Sequence, residues 1–131
     1  MRCSTRVSRQ SRQNRLVLCI DDHRQGLYAR RQILQSAGYE VITASSGRIG
    51  LRLLRRHPVE LVILDYSMPE MTGDTVAREI RRTHPHVPIV MLSGQLNIPR
   101  RAASAVDVLV EKAQPPSVLL GQLTALIGAT G

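Results

Sequence analysis

The sequence predicts an α/β fold: a parallel five-stranded sheet wrapped by helices on both faces. Three observations carry this expectation. Short aliphatic runs alternate with helix-period segments five times along the 131 residues, the pattern of right-handed β-α-β crossovers. Leu61-Val62-Ile63-Leu64 is an unbroken aliphatic run, as a strand buried on both faces requires. Several of the runs stop at a polar residue, and the carboxyl edge of such a sheet is where ligands bind.

Taken in order, Leu16 to Ile20 reads as the first strand and ends in Asp21-Asp22. Gln25 to Ala37 follows as a helix with Leu27, Ile33, Leu34 and Ala37 inward, stopped by Gly38. Tyr39 to Ala44 is the second strand. Ser45-Ser46 offers an N-cap for a helix to Arg56, with Ile49, Leu53 and Leu54 inward and Arg48, Arg52, Arg55 and Arg56 outward. His57-Pro58 breaks that helix. The third strand is the aliphatic run ending at Asp65, followed by a turn carrying Pro69 and Gly73. Asp74 to Arg82 is a helix with Val76, Ala77 and Ile80 on its apolar side. Ile89 to Leu92 is the fourth strand, ending in Ser93-Gly94. Pro99 to Ala105 leaves room for a short helix only. Val106 to Val110 is the fifth strand, with Lys112 just beyond it, and Ser117 to Ile127 is the last helix, approached by Pro115 and Pro116.

Composition bounds the function classes. With 43% hydrophobic residues but only three Tyr and neither Phe nor Trp, the core must be aliphatic. No apolar run approaches the ~20 residues of a membrane span, and no signal-peptide h-region is present. The expected location is therefore cytoplasmic, without membrane insertion. Two cysteines cannot build a disulfide framework; Cys19 reads as a small core residue and Cys3 lies in the tail. Of the net charge of +8, residues 1–15 supply +5 through five arginines and no acid. This segment has the composition of a disordered Arg-rich tail. As a helix it would align a stripe of arginines suited to phosphates, but a solvated tail is the simpler reading. The remaining residues hold 13 basic and 10 acidic groups, so whole-chain charge is a poor guide to the partner. Seventeen of the 18 basic residues are Arg; the one Lys is Lys112, which hints that this position wants an ammonium.

Asp65 alone could simply end a strand or cap the next helix. Read with the other strand ends it means more. If the first, third, fourth and fifth strands are neighbours, Asp21, Asp22, Asp65, Ser93 and Lys112 converge on one edge. Three crowded carboxylates repel one another, and a divalent cation plus one ammonium offsets that charge; an oxygen-only donor set suits Mg²⁺. Asp65 can then act as a nucleophile toward phosphorus, forming an aspartyl phosphate. Mg²⁺ and Lys112 would steady charge on the phosphoryl oxygens, with the Ser93 hydroxyl donating to one of them.

The same residues carry a family resemblance. Ile20-Asp21-Asp22, Leu64-Asp65-Tyr66-Ser67-Met68-Pro69 with Met71 and Gly73, Ser93-Gly94 and Lys112 resemble the receiver domain of two-component response regulators, across residues 16–128. The resemblance implies a flavodoxin-like fold with strand order 2-1-3-4-5. It implies that Asp65 accepts a phosphoryl group from a histidine kinase. It also implies that Asp22, Asp65 and the backbone carbonyl of Ser67 hold Mg²⁺, that Asp21 assists through water, and that Ser93 is a switch hydroxyl. The chain departs from the family pattern twice. Leu109 stands where an aromatic residue is usual, and Ala113 follows the lysine in place of a proline. Leu109 is expected to stay buried in both signalling states.

Four functions are weighed in order. The first is a single-domain response regulator, phosphorylated on Asp65 by a sensor histidine kinase or phosphotransfer protein and acting on an output protein or in a phosphorelay. Such a protein is a phosphoryl acceptor with possible autodephosphorylation, not a dedicated enzyme. The second is a receiver-like binding module that works without phosphorylation, against which the complete acidic site argues. The third, nucleic-acid binding through the tail, lacks interleaved aromatics and a recognition helix. The fourth is a hydrolase with an aspartyl nucleophile, which would want a second carboxylate where Ser67 stands. His23, His84 and His86 read as solvated loop and turn residues.

Overall fold

The computed structural model describes residues 15–94 and 97–128. Five strands, β1 (Leu16–Ile20), β2 (Glu40–Ala44), β3 (Leu61–Asp65), β4 (Ile89–Ser93) and β5 (Val108–Glu111), alternate with five helices. These are α1 (Arg24–Ser36), α2 (Gly47–Arg56), α3 (Gly73–Thr83), α4 (Arg100–Ala103) and α5 (Pro116–Ile127). The strands form one sheet in the order β2-β1-β3-β4-β5, and every pairing is parallel. The winding direction reverses between β1 and β3, so the carboxyl ends of those two strands flank the crevice where such sheets bind ligands.

Strand alternation divides the core in two. Val17 and Cys19 of β1, Leu61 and Ile63 of β3, and Val90 and Leu92 of β4 pack with Leu27 and Leu34 of α1 and Leu119 and Leu123 of α5. On the opposite face, Leu18, Ile20, Val62, Leu64 and Ile89 pack with Leu54 of α2 and with Val76, Ala77 and Ile80 of α3. All five residues of β3 and all five of β4 are buried, which explains the absence of polar alternation in their sequences. Cys19 is completely buried, and desolvation pushes its thiol up to about 12, although Arg30 opposes the shift. It is a core residue and not a reactive one.

Helix ends follow local chemistry. The Ser46 hydroxyl accepts the Ile49 N–H at 3.1 Å and caps α2. Gly38 ends α1 with φ of 100°, a conformation that favours glycine.

Three expectations are corrected. Ile49 is 37% exposed instead of inward. The buried residues of helix α2 are Gly47, Gly50 and Leu54; Gly47 faces Val76 of α3 and Met71, and Gly50 faces Ile20 of β1. A Cβ on Gly50 would lie only 2.3 Å from Ile20 Cδ1, so the closest line of contact runs through glycine and turns Ile49 outward. Leu109 is likewise not buried but 40% exposed. It lies on edge strand β5, where Val108 and Val110 take the α1/α5 face and alternation sends Leu109 to the other. Strand β5 also starts at Val108 and not at Val106. The Asp107 side chain accepts the Ile89 N–H at 2.7 Å and the Arg81 guanidinium at 2.6 Å, occupying the ladder position that a strand residue would take.

The expected tail, residues 1–15, falls outside the described residues except for Arg15. That residue belongs to the fold: its guanidinium contacts Glu60 at 3.0 Å, and its carbonyl accepts the Glu40 N–H at 3.0 Å. Cys3 also lies outside the described residues.

Candidate functional site

Strand parity brings the predicted residues together. Asp21 follows Cys19, Asp65 follows Ile63 and Lys112 follows Val110 on the α1/α5 face, each two residues on and therefore on the same side. The Asp21 N–H bonds to the Ala44 carbonyl at 3.0 Å, which continues the sheet one residue past β1 and fixes the carboxylate. Asp21 and Asp65 are buried, at 1% and 3% exposure, while Asp22 is exposed and lines a cleft of about 140 Å³ with Ser45, Ser46 and Met68.

Lys112 Nζ lies 2.8 Å from Asp65 Oδ1 and 4.0 Å from Asp21 Oδ2. The lysine is held from behind, because its N–H bonds to the Ser93 carbonyl at 2.8 Å. Ser93 and Glu111 are register partners, so the β4–β5 ladder aims the ammonium without help from a proline at position 113. Ser93 itself is 2% exposed. Ser67 is exposed in the segment between β3 and α3.

The loop after β3 is shaped by Gly73. Its N–H donates to the Tyr66 carbonyl at 2.8 Å, while the Tyr66 N–H donates to Leu92 O at 2.9 Å. A Cβ on Gly73 would lie 2.6 Å from the Asp65 carbonyl oxygen and 2.8 Å from Tyr66 Cα. Only glycine lets α3 begin this close to the Asp65 backbone.

One carboxylate oxygen from each of Asp21, Asp22 and Asp65 lies within 4.8 Å of the other two. Oxygens sharing one Mg²⁺ stand up to about 4.2 Å apart, so a small contraction would let these three surround it. Asp65 Oδ1 is buried and, apart from the ion pair, accepts no well-aligned hydrogen bond; it retains the capacity to take a further partner. The donor set therefore fits a hard divalent cation. Burial raises the Asp65 pKa above the ordinary carboxylate range; Lys112 opposes the shift, while Asp21 and Asp22 add to it. A more basic carboxylate is a better nucleophile once ionised.

Two contacts escaped the sequence reading. Asp21 Oδ1 accepts the His23 N–H at 2.9 Å, and Asp21 Oδ2 receives the Arg30 guanidinium at 3.2 Å. Arg30 could have been found, because it lies three residues after Leu27 and four before Leu34, on the inward stripe of α1. A charge there implies a buried partner.

Comparison with known proteins fits this geometry. MprA of Mycolicibacterium vanbaalenii is 31% identical over 117 residues, covering 87% of this chain and 51% of the relative. KdpE of Mycobacterium tuberculosis is 44% identical over 80 residues, covering 61% of this chain and 35% of the relative. The transcriptional regulatory protein GlrR of Escherichia coli is 44% identical over 71 residues, covering 54% and 16%. The chain thus spans about half or less of the length of these relatives. Among solved structures, the response regulator TrrA of Thermotoga maritima, in complex with Mg²⁺-BeF, superposes with a TM-score of 0.83. It is 29% identical and is covered over 99% of its length by 86% of this chain. Chemotaxis protein CheY4 of Vibrio cholerae gives 0.77 at 30% identity, covering 86% of this chain and 98% of that one. The response regulator receiver domain description matches residues 17–120, and with the fold and the acidic site it shows that the chain belongs to that family.

Proposed function

We propose that Asp65 is the phosphoryl acceptor of a Mg²⁺-dependent phosphotransfer from a sensor histidine kinase or a phosphotransfer protein, and that the modified chain signals by altered partner affinity or passes the group on. The observation that carries this is the buried Asp65 carboxylate at the end of the central strand, 2.8 Å from the chain's only lysine. An Asp65 carboxylate oxygen forms the bond to phosphorus as the donor's phosphorus–nitrogen bond breaks, and the released imidazole takes its proton from solvent. Lys112, already beside Asp65, pairs its ammonium with a phosphoryl oxygen once the carboxylate carries the phosphoryl group as an acyl phosphate. The Ser93 hydroxyl donates to another and reports the modification to the segment after β4. Asp22, Asp65 and the Ser67 carbonyl would hold Mg²⁺, with Asp21 acting through water; the ion supplies neutralisation of phosphoryl charge when bound.

No helix among the described residues is long and apolar enough to cross a membrane, and a cytoplasmic location beside a kinase's phosphotransfer region accords with this role. Incubation with a small-molecule phosphodonor and Mg²⁺ should add one base-labile phosphoryl group, and Asp65→Asn should abolish it. Undiminished labelling of that variant would refute the assignment. A wild-type protein that binds its partner equally well with and without the donor would favour a phosphorylation-independent module.

A further inference from the structure

Arg30 is placed unlike the outward arginines of α2. Its side chain is 13% exposed, and its guanidinium lies 3.2 Å from the Oδ2 of Asp21, which is itself 1% exposed. Room for it is left by Gly26, one turn earlier on α1. A Cβ at that position would stand 3.8 Å from both Arg30 Nη2 and Asp21 Oδ2, so a longer side chain would fill the space the pair uses. Arg30 and Lys112 together line a cleft of about 230 Å³ between α1 and α5. The other Asp21 oxygen already accepts the His23 N–H.

The charge balance follows from these contacts. Three carboxylates against Lys112 and Arg30 leave one net negative charge, where Lys112 alone would leave two. A divalent cation is drawn by that negative charge, and Arg30 both reduces it and occupies an oxygen of Asp21. When a phosphoryl group replaces the Asp65 charge, it brings up to about two negative charges. A divalent cation, Lys112 and Arg30 then balance the four negative charges present.

We infer that Arg30 is a built-in competitor for Asp21 that weakens Mg²⁺ binding by the unphosphorylated site and makes tight metal retention depend on a phosphoryl group. The inference deepens the phosphoacceptor reading above and rests on it. Arg30 acts through Asp21 and is a positioning residue.

Calorimetric Mg²⁺ titration of the unphosphorylated full chain tests this. Arg30→Met should bind Mg²⁺ about tenfold more tightly, the order expected for removing one fixed charge several ångströms away in a partly screened site. Arg30→Lys should stay near wild type. With saturating beryllium fluoride as phosphoryl mimic, the added negative charge should tighten Mg²⁺ binding by both proteins, bringing wild type at least to the affinity of unphosphorylated Arg30→Met. A purely structural role for Arg30 gives the opposite sign, since loosening Asp21 weakens the metal site. Unchanged or weaker Mg²⁺ binding by folded Arg30→Met overturns the proposal, as does wild-type Mg²⁺ binding that beryllium fluoride leaves weaker than that of unphosphorylated Arg30→Met. Should Arg30→Met melt too low to titrate, Arg30→Gln is read by the same criteria. A wild-type chain that binds no Mg²⁺ even with beryllium fluoride, matching Asp22→Ala, refutes the phosphoacceptor reading beneath it.

Discussion

Gly73→Ala places one methyl group against the backbone that carries Asp65. The new Cβ would stand 2.6 Å from the Asp65 carbonyl oxygen and 2.8 Å from Tyr66 Cα. Both are main-chain atoms of a buried strand end, so no flexible side chain can yield. Restoring an ordinary contact of ~3.4 Å requires about 0.8 Å of movement by α3 or by the loop. Overpacking of this kind costs about 1–3 kcal/mol. Little of that is recovered as helix propensity, because Gly73 is the first residue of α3. At about 4 °C per kcal/mol for a chain of this size, the melting temperature should fall by roughly 4–12 °C. The same movement displaces the nucleophile, and a shift near 1 Å costs on the order of 100-fold in rate. Phosphorylation by a small-molecule donor should therefore slow by about 10- to 100-fold even where the variant is fully folded. Gly121→Ala is the control. Nothing lies within 4 Å of its Cβ, and in the interior of α5 it should stabilise by about 0.5–1 kcal/mol. Thermal melts and initial labelling rates on the two variants decide the matter. If Gly73→Ala melts and labels like wild type, the close approach of α3 to Asp65 is not what positions the acceptor.

Asp65→Asn should stabilise the fold at neutral pH. Because the folded state raises this pKa, the native protein holds the Asp65 proton more tightly than the unfolded chain does, and stability falls as pH rises between the unfolded and folded values. The advantage of Asp65→Asn should shrink as pH drops through that window in urea melts; a pH-independent difference would contradict it. Leu109→Ala should cost only about 1 kcal/mol, because its side chain is 40% exposed, against about 2–5 kcal/mol for Leu64→Ala in the buried centre of β3. Equal losses in denaturant melts would mean that Leu109 is covered in solution. Ser46→Ala should lose about 1 kcal/mol through the vacated Ile49 N–H at the start of α2, and an unchanged melting curve would show that the cap is redundant.

Residues whose chemistry and position agree were readable from the sequence. Asp21, Asp65 and Lys112 each follow a buried strand residue by an even number of positions, so parity alone delivers them to one face. Ser46 was legible because an N-cap hydroxyl acts locally. Ile49 was misread because its hydrophobicity and its spacing from Leu53 suit an inward face, whereas α2 seats itself through Gly47 and Gly50, whose lack of a side chain permits the contact. Leu109 was misread because hydrophobicity says nothing about which face of an edge strand the neighbouring helices cover. Arg30 was missed for a related reason: its partner lies nine residues away, on a strand end that only the folded α1 brings within reach.

The central claim is that Asp65, among three clustered carboxylates, forms the bond to phosphorus. Borohydride reduction of the protein after treatment with phosphodonor and Mg²⁺ converts an aspartyl phosphate to homoserine, and peptide sequencing by mass spectrometry locates it. The account predicts homoserine at position 65 only, dependent on both donor and Mg²⁺. Homoserine at position 21 or 22, or none at any aspartate under conditions that label the protein, would contradict it.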